Sequence, residues 1–126
     1  MVNQMSTCAV VFGAGGFIGR NVVRHLNERH RNVLKISAFT RDMVDLLDYD
    51  QVEDCLRIVH ASYEKVIVFI CAGVGGKRLK VDSEQVISAN LEMVENVARC
   101  EDYYSKLVLF GSGAAFGRIV YGAAQD

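Results

Sequence analysis

The residues with the clearest chemical meaning gather around three glycines. The stretch Cys8-Ala-Val-Val-Phe-Gly13-Ala-Gly-Gly16-Phe-Ile-Gly19 runs from an apolar segment into a G-x-x-G-x-x-G turn, and apolar residues at helical spacing follow. A buried strand that turns tightly into a helix brings unpaired backbone N–H groups and the positive end of a helix dipole to one spot. A pyrophosphate suits such a spot, which makes a dinucleotide the expected ligand. Glycine allows positive φ in the turn and removes the Cβ that would keep the ligand away. Gly13, Gly16 and Gly19 therefore form the predicted cradle, with Phe17 and Ile18 between the second and third glycines. The alternative G-x-G-x-x-G reading, from Gly13 and Gly15, fails because its third position is Ile18. The bland reading of the same residues is a glycine-rich turn with no ligand.

Such a cradle needs a sheet to carry it, and strand and helix signals alternate along the chain. Strands are expected over residues 7–12, 33–39, 66–71 and 107–110, with a short extra one over 44–47. Helices are expected over 16–28, with Ile18, Val22 and Leu26 on one face, and over 50–60, with Asp50 as N-cap. A third is expected over 83–100, with Val86, Ile87, Asn90, Val94 and Val97 inward. Alternation of this kind implies parallel β-α-β units. The predicted fold is α/β: a doubly wound parallel sheet of the Rossmann type, about five strands in the order 3-2-1-4-5. Ligands bind such sheets at the carboxyl ends of the strands, where the winding reverses. That edge would collect the loops at residues 13–19, 39–41, 71–76 and 111–113.

Composition narrows the function classes. With 126 residues, 51% of them hydrophobic, the chain is expected to form one domain over 1–126 with a sheet buried on both faces. A net charge of −1 gives no electrostatic case for nucleic acid or an anionic membrane. No apolar run approaches the roughly 18 residues of a membrane span, and no signal peptide is expected before the first strand. Cys8, Cys55, Cys71 and Cys100 fit no zinc spacing. They are expected as free buried thiols in a cytoplasmic protein, with no metal. His25, His30 and His60 are expected at the surface.

Further motifs resemble a known family. They are Thr40-Arg41-Asp42-Met-Val-Asp45-Leu46-Leu47-Asp48, Ala72-Gly73-Val74-Gly75-Gly76, Asn90 in the helix that follows, and Lys106-Leu-Val-Leu-Phe-Gly111-Ser112. Together with the glycine triad, over residues 6–117, they resemble the extended short-chain dehydrogenase/reductases, the nucleotide-sugar epimerase, dehydratase and reductase group. The resemblance implies that Asp45 and Leu46 lie by the adenine, with Asp45 accepting from its exocyclic amine. It implies that Cys71, Ala72, Gly73 and Asn90 belong to the cofactor site, and that Ser112 is the catalytic serine that holds a substrate carbonyl or alcohol. An acidic residue after the second strand would favour NAD. Phe39, Thr40 and Arg41 stand there instead, and an Arg fork suits a 2′-phosphate. NADP is therefore the expected cofactor and NAD the alternative. For Arg41, Asn90 and Ser112 the competing readings are a solvated charge, a satisfied buried Asn and an ordinary loop serine.

The family's proton chemistry uses a Tyr-x-x-x-Lys pair, in which the lysine lowers the tyrosine's pKa. This sequence holds Tyr121-Gly-Ala-Ala-Gln125 instead, and Phe116 where the family usually has tyrosine. Lys77, Arg78 and Lys80 read as a solvated loop. The expectation is the incomplete, truncated nucleotide-binding portion of an enzyme acting on a nucleotide-sugar substrate. Self-association, or a partner, would cover the sheet left open. The alternative is a non-catalytic dinucleotide-binding module.

Overall fold

A computed structural model of the chain describes residues 6–72 and 83–110. The elements in chain order are β1 (Thr7–Phe12), α1 (Phe17–His30), β2 (Lys35–Phe39), α2 (Tyr49–Ser62), β3 (Lys65–Ile70), α3 (Ser83–Ala98), a 3₁₀ turn over Glu101–Tyr103, and β4 (Lys106–Leu109). All pairings are parallel and the described sheet has the order β2-β1-β3-β4. This is the predicted Rossmann-type α/β architecture. The expected short strand over 44–47 does not form. That segment is turns and irregular backbone, and its apolar residues Val44 and Leu46 go into the core instead of into a ladder.

Strand alternation sorts the side chains onto two faces. Cys8, Val10 and Phe12 of β1 and Val66, Val68 and Ile70 of β3 share one face with Val52, Leu56 and Val59 of α2 and Met93 and Val97 of α3. Ala9 and Val11 point the other way, toward Leu26 of α1. Each fully buried Val, Leu or Ile contributes about 1.5–3 kcal/mol, so the α2/α3 face carries most of the apolar stabilisation. On the α1 face, Phe17, Ile18, Val22, Leu26, Phe69 and Phe110 line an open apolar groove. There Phe69 and Phe110 stack with ring centroids 6.4 Å apart.

Local chemistry sets the helix ends. Asp48, not the expected Asp50, caps α2, and its carboxylate accepts from the N–H groups of Asp50 and Gln51. The Gln51 side chain also donates to Asp48 at 3.1 Å. Asp50 lies inside the first turn, where its charge still suits the dipole. The inward stripe of α3 differs from the expected one. Asn90, Met93, Asn96 and Val97 are buried, whereas Ile87 is exposed. Cys8 and Cys100 are buried and Cys55 and Cys71 only half-buried; all four are free thiols. The three histidines are exposed as expected. Among the described residues no helix is long and apolar enough to cross a membrane, and no His/Cys/Asp/Glu cluster could hold a metal.

Candidate functional site

The three glycines serve three different physical ends. Gly13 has φ +80°, and a Cβ there would lie 2.6 Å from the backbone N of Ala72. Its conformation and its closeness to the end of β3 both exclude a side chain. Gly19 is buried, and a Cβ there would lie 1.9 Å from the Gly13 carbonyl oxygen. It lets α1 press against the turn. Around Gly16 the space is open: a methyl added there would have the Gly13 oxygen as its nearest neighbour, at 3.9 Å. Gly16 is the N-cap of α1 with φ −84°, has no side-chain cap, and no acidic residue lies in the first turn. The protein itself therefore does not require glycine at 16, and the bare helix terminus faces an unfilled space.

The turn is bonded to its neighbouring strand ends. The N–H groups of Gly13 and Ala14 both donate to the Phe39 carbonyl, at 3.0 and 3.1 Å, and Cys71 N–H donates to the Phe12 carbonyl at 2.9 Å. The C-terminal ends of β1, β2 and β3 are thus held level. Above them lies a cavity of about 650 Å³ lined by Gly13, Gly15 and Gly16, by residues 40–42 and 44–47, and by Cys71, Ala72 and Met93.

The cavity wall at residues 44–47 is held from both sides. Asp45 N–H donates to Gln51 Oε1 at 2.9 Å, and Leu47 N–H donates to Asp45 Oδ1 at 3.0 Å. From α3, Asn96 Nδ2 donates to the Leu46 carbonyl at 2.8 Å. The Leu46 N–H has no acceptor among the described residues. Arg41 and Asp42 are exposed side by side on the same wall, with no ion pair to Arg41 among the described residues. Burial pushes the Cys71 thiol up to about 11, so at neutral pH it is an uncharged part of the lining.

Seven predicted site residues line this one cavity: Gly13, Gly16, Arg41, Asp45, Leu46, Cys71 and Ala72. Gly19 lies beneath the turn. The side chains of Phe17 and Ile18 line the apolar groove on the α1 face, which leaves only their backbone at the helix terminus. Asn90 is buried in α3, one turn before Met93, and is not among the lining residues. Every described buried side-chain N or O atom has a hydrogen-bond partner. Gly73, Ser112, Phe116, Tyr121, Gln125, Lys77, Arg78 and Lys80 lie outside the described residues. The sequence reading missed Asn96, Met93, Gln51 and Asp42. Met93 and Asn96 follow Asn90 at helical spacing, and this was the signal available for them.

The sequence of residues 9–123 matches the NAD dependent epimerase/dehydratase family. The chain belongs to that family. Solved structures agree with this epimerase/dehydratase assignment. A GDP-D-glycero-L-gluco-heptose synthase from Campylobacter jejuni, in the presence of NADPH, is 25% identical with a TM-score of 0.69, over 89% of this chain and 32% of that one. A GDP-L-fucose synthetase from Naegleria fowleri bound to NADP is 20% identical with a TM-score of 0.67, over 86% and 32%. A dTDP-4-dehydrorhamnose reductase from Bacillus anthracis in complex with NADP is 19% identical with a TM-score of 0.68, over 84% and 36%. The last two likenesses concern the fold. This epimerase/dehydratase-family chain spans about a third of the length of each of these relatives.

Proposed function

We propose that the chain binds a nicotinamide dinucleotide, with NADP preferred over NAD, as the cofactor-binding portion of a nucleotide-sugar epimerase, dehydratase or reductase. One observation carries this reading. The open space over Gly16, at an uncapped helix N-terminus, belongs to the same cavity as Arg41, Asp45, Leu46 and Ala72. In this reading the pyrophosphate lies over Gly13 and Gly16, against the backbone N–H groups of Phe17 and Ile18. Arg41 takes the 2′-phosphate. The base lies along Asp45 and Leu46, with the Asp45 carboxylate accepting from the exocyclic amine and the Leu46 N–H available to a ring nitrogen. A carboxylate has about four acceptor sites, so the bond from Leu47 leaves room for another.

A bound nicotinamide supplies a hydride donor or acceptor. This chain's residues hold and orient its adenosine end. Ser112 is the candidate for holding a substrate carbonyl or alcohol, and the Tyr121-Gly-Ala-Ala-Gln125 segment lacks the lysine that would prepare a tyrosine as base. The nucleotide-sugar substrate rests on the family and on the relatives' activities. Titration of NADPH fluorescence against the chain tests the binding reading, with ADP as competitor. Saturable binding displaced by ADP is expected. No saturable binding would refute it.

A further inference from the structure

We propose that Asn96 is a positioning residue for base recognition, acting on the Asp45 carboxylate through the peptide that joins Leu46 to Leu47. The proposal rests on the adenine placement above and adds how that edge is set. The carbonyl of this peptide accepts from Asn96 Nδ2 at 2.8 Å, and its N–H donates to Asp45 Oδ1 at 3.0 Å. Three groups thus form one chain of hydrogen bonds, from the interior of α3 to a carboxylate in the cavity wall. Asn96 is 6% exposed and is not among the cavity-lining residues, so it acts only through its partners. Bonds in series polarise one another and fix orientation. Rotation of the 46–47 peptide would break both bonds together and turn the Asp45 carboxylate. Gln51, accepting from Asp45 N–H on the α2 side, holds the other end of the same residue. The arrangement sets an acceptor at a fixed place, which selects a base with an exocyclic amine.

The test compares NADPH with its reduced hypoxanthine analogue, in which a carbonyl oxygen replaces the exocyclic amine. Wild type should prefer NADPH by about tenfold, the loss of one hydrogen bond with a charged acceptor. In Asn96→Leu the preference should fall to about twofold or less, with the pyrophosphate cradle intact. A merely structural role would weaken both ligands in proportion and leave the ratio unchanged, which would overturn the proposal. Should Asn96→Leu melt below the assay temperature, Asn96→Ser, too short to reach the Leu46 carbonyl, carries the test. Asp45→Ala separates the two readings. If wild type shows no preference and Asp45→Ala binds both ligands as wild type does, the adenine placement itself is wrong, and the proposal falls with it. If wild type discriminates and Asp45→Ala does not, the placement holds, and the Asn96 ratio alone decides.

Discussion

Replacing Gly16 with alanine should separate binding from stability. The Gly16 backbone, at φ −84° and ψ 179°, suits any residue, and an added Cβ meets nothing nearer than 3.9 Å. A compatible Gly→Ala change stabilises by about 0.4–1 kcal/mol through the unfolded chain. Alanine is a poorer N-cap than glycine by roughly 0.5–1 kcal/mol. The two nearly cancel, so the melting temperature should move by no more than about 3 °C. The same methyl occupies the space assigned to the pyrophosphate, and overpacking costs about 1–3 kcal/mol. NADPH affinity should therefore fall about 5- to 150-fold. Gly13→Ala is the contrast. Its φ of +80° adds roughly 1–2 kcal/mol, and its Cβ would lie 2.6 Å from backbone that cannot yield cheaply. It should lose fold and binding together. Thermal melts and NADPH fluorescence titration of all three proteins provide the measurement. Unchanged NADPH affinity in a folded Gly16→Ala protein would refute the cradle, and a melt as low as that of Gly13→Ala would refute the geometric argument.

Arg41→Ala should weaken NADPH by about 1.5–3 kcal/mol and leave NADH nearly unchanged; equal losses in calorimetry would make Arg41 a solvated charge. Asp48→Ala removes the cap of α2 and should cost about 1 kcal/mol, a drop of roughly 3–5 °C in the melt. An unchanged melt would count against the cap. Alkylation of Cys71 by iodoacetamide should be slow at pH 7, rise about tenfold per pH unit toward pH 9 as thiolate forms, and slow when NADPH is present. Mass spectrometry of the modified peptide reads this, and NADPH-insensitive labelling would separate the thiol from the site. Burial pushes the Cys55 and Cys71 thiols from 9.0 to about 11 in the folded protein. Because folding raises these values, their contribution to stability is fully present below pH 9, where both states hold the proton, and is lost as pH rises from 9 to 11, where the unfolded chain alone ionises. The linkage slope is therefore set by protons bound: the unfolded chain binds fewer between pH 9 and 11, so stability falls across that window. A melting temperature that stays level there would contradict it.

The fold was largely legible because β1 and β3 are apolar runs and because Val52, Leu56 and Val59 repeat at helical spacing. The glycine triad marked the turn, but not the separate duties of its members. That Gly19 presses on the Gly13 carbonyl while Gly16 faces open space depends on the angle at which α1 leaves the sheet, which no local pattern encodes. Residues 44–47 misled for a related reason. Val44 and Leu46 alternate as in a strand, yet they enter the core because Asp48 starts a helix directly afterwards. The cap went to Asp48 and not Asp50 because two acidic residues stand at neighbouring candidate positions, and chain geometry chose between them. Asp45 and Leu46 came from family resemblance. Asn96, fifty residues farther along, reaches Leu46 by a contact that only tertiary structure reveals.

The sheet order β2-β1-β3-β4 also bears on how the chain acquires its site. β1, with Cys8 to Val11 fully buried in the folded state, is an inner strand that must wait for partners on both sides, both of them later in the sequence. One neighbour begins at Lys35 and the other at Lys65, so both edges of a strongly apolar β segment stay unpaired until those later residues have been synthesised. Non-local parallel pairing is slow, and such a segment is open to misassociation meanwhile. The Gly13 turn gains its Phe39 bonds with the first pairing, but the Phe12–Cys71 bond only with the second. The nucleotide cradle is therefore a late product of folding, and refolding yield should depend on how briefly β1 is left alone.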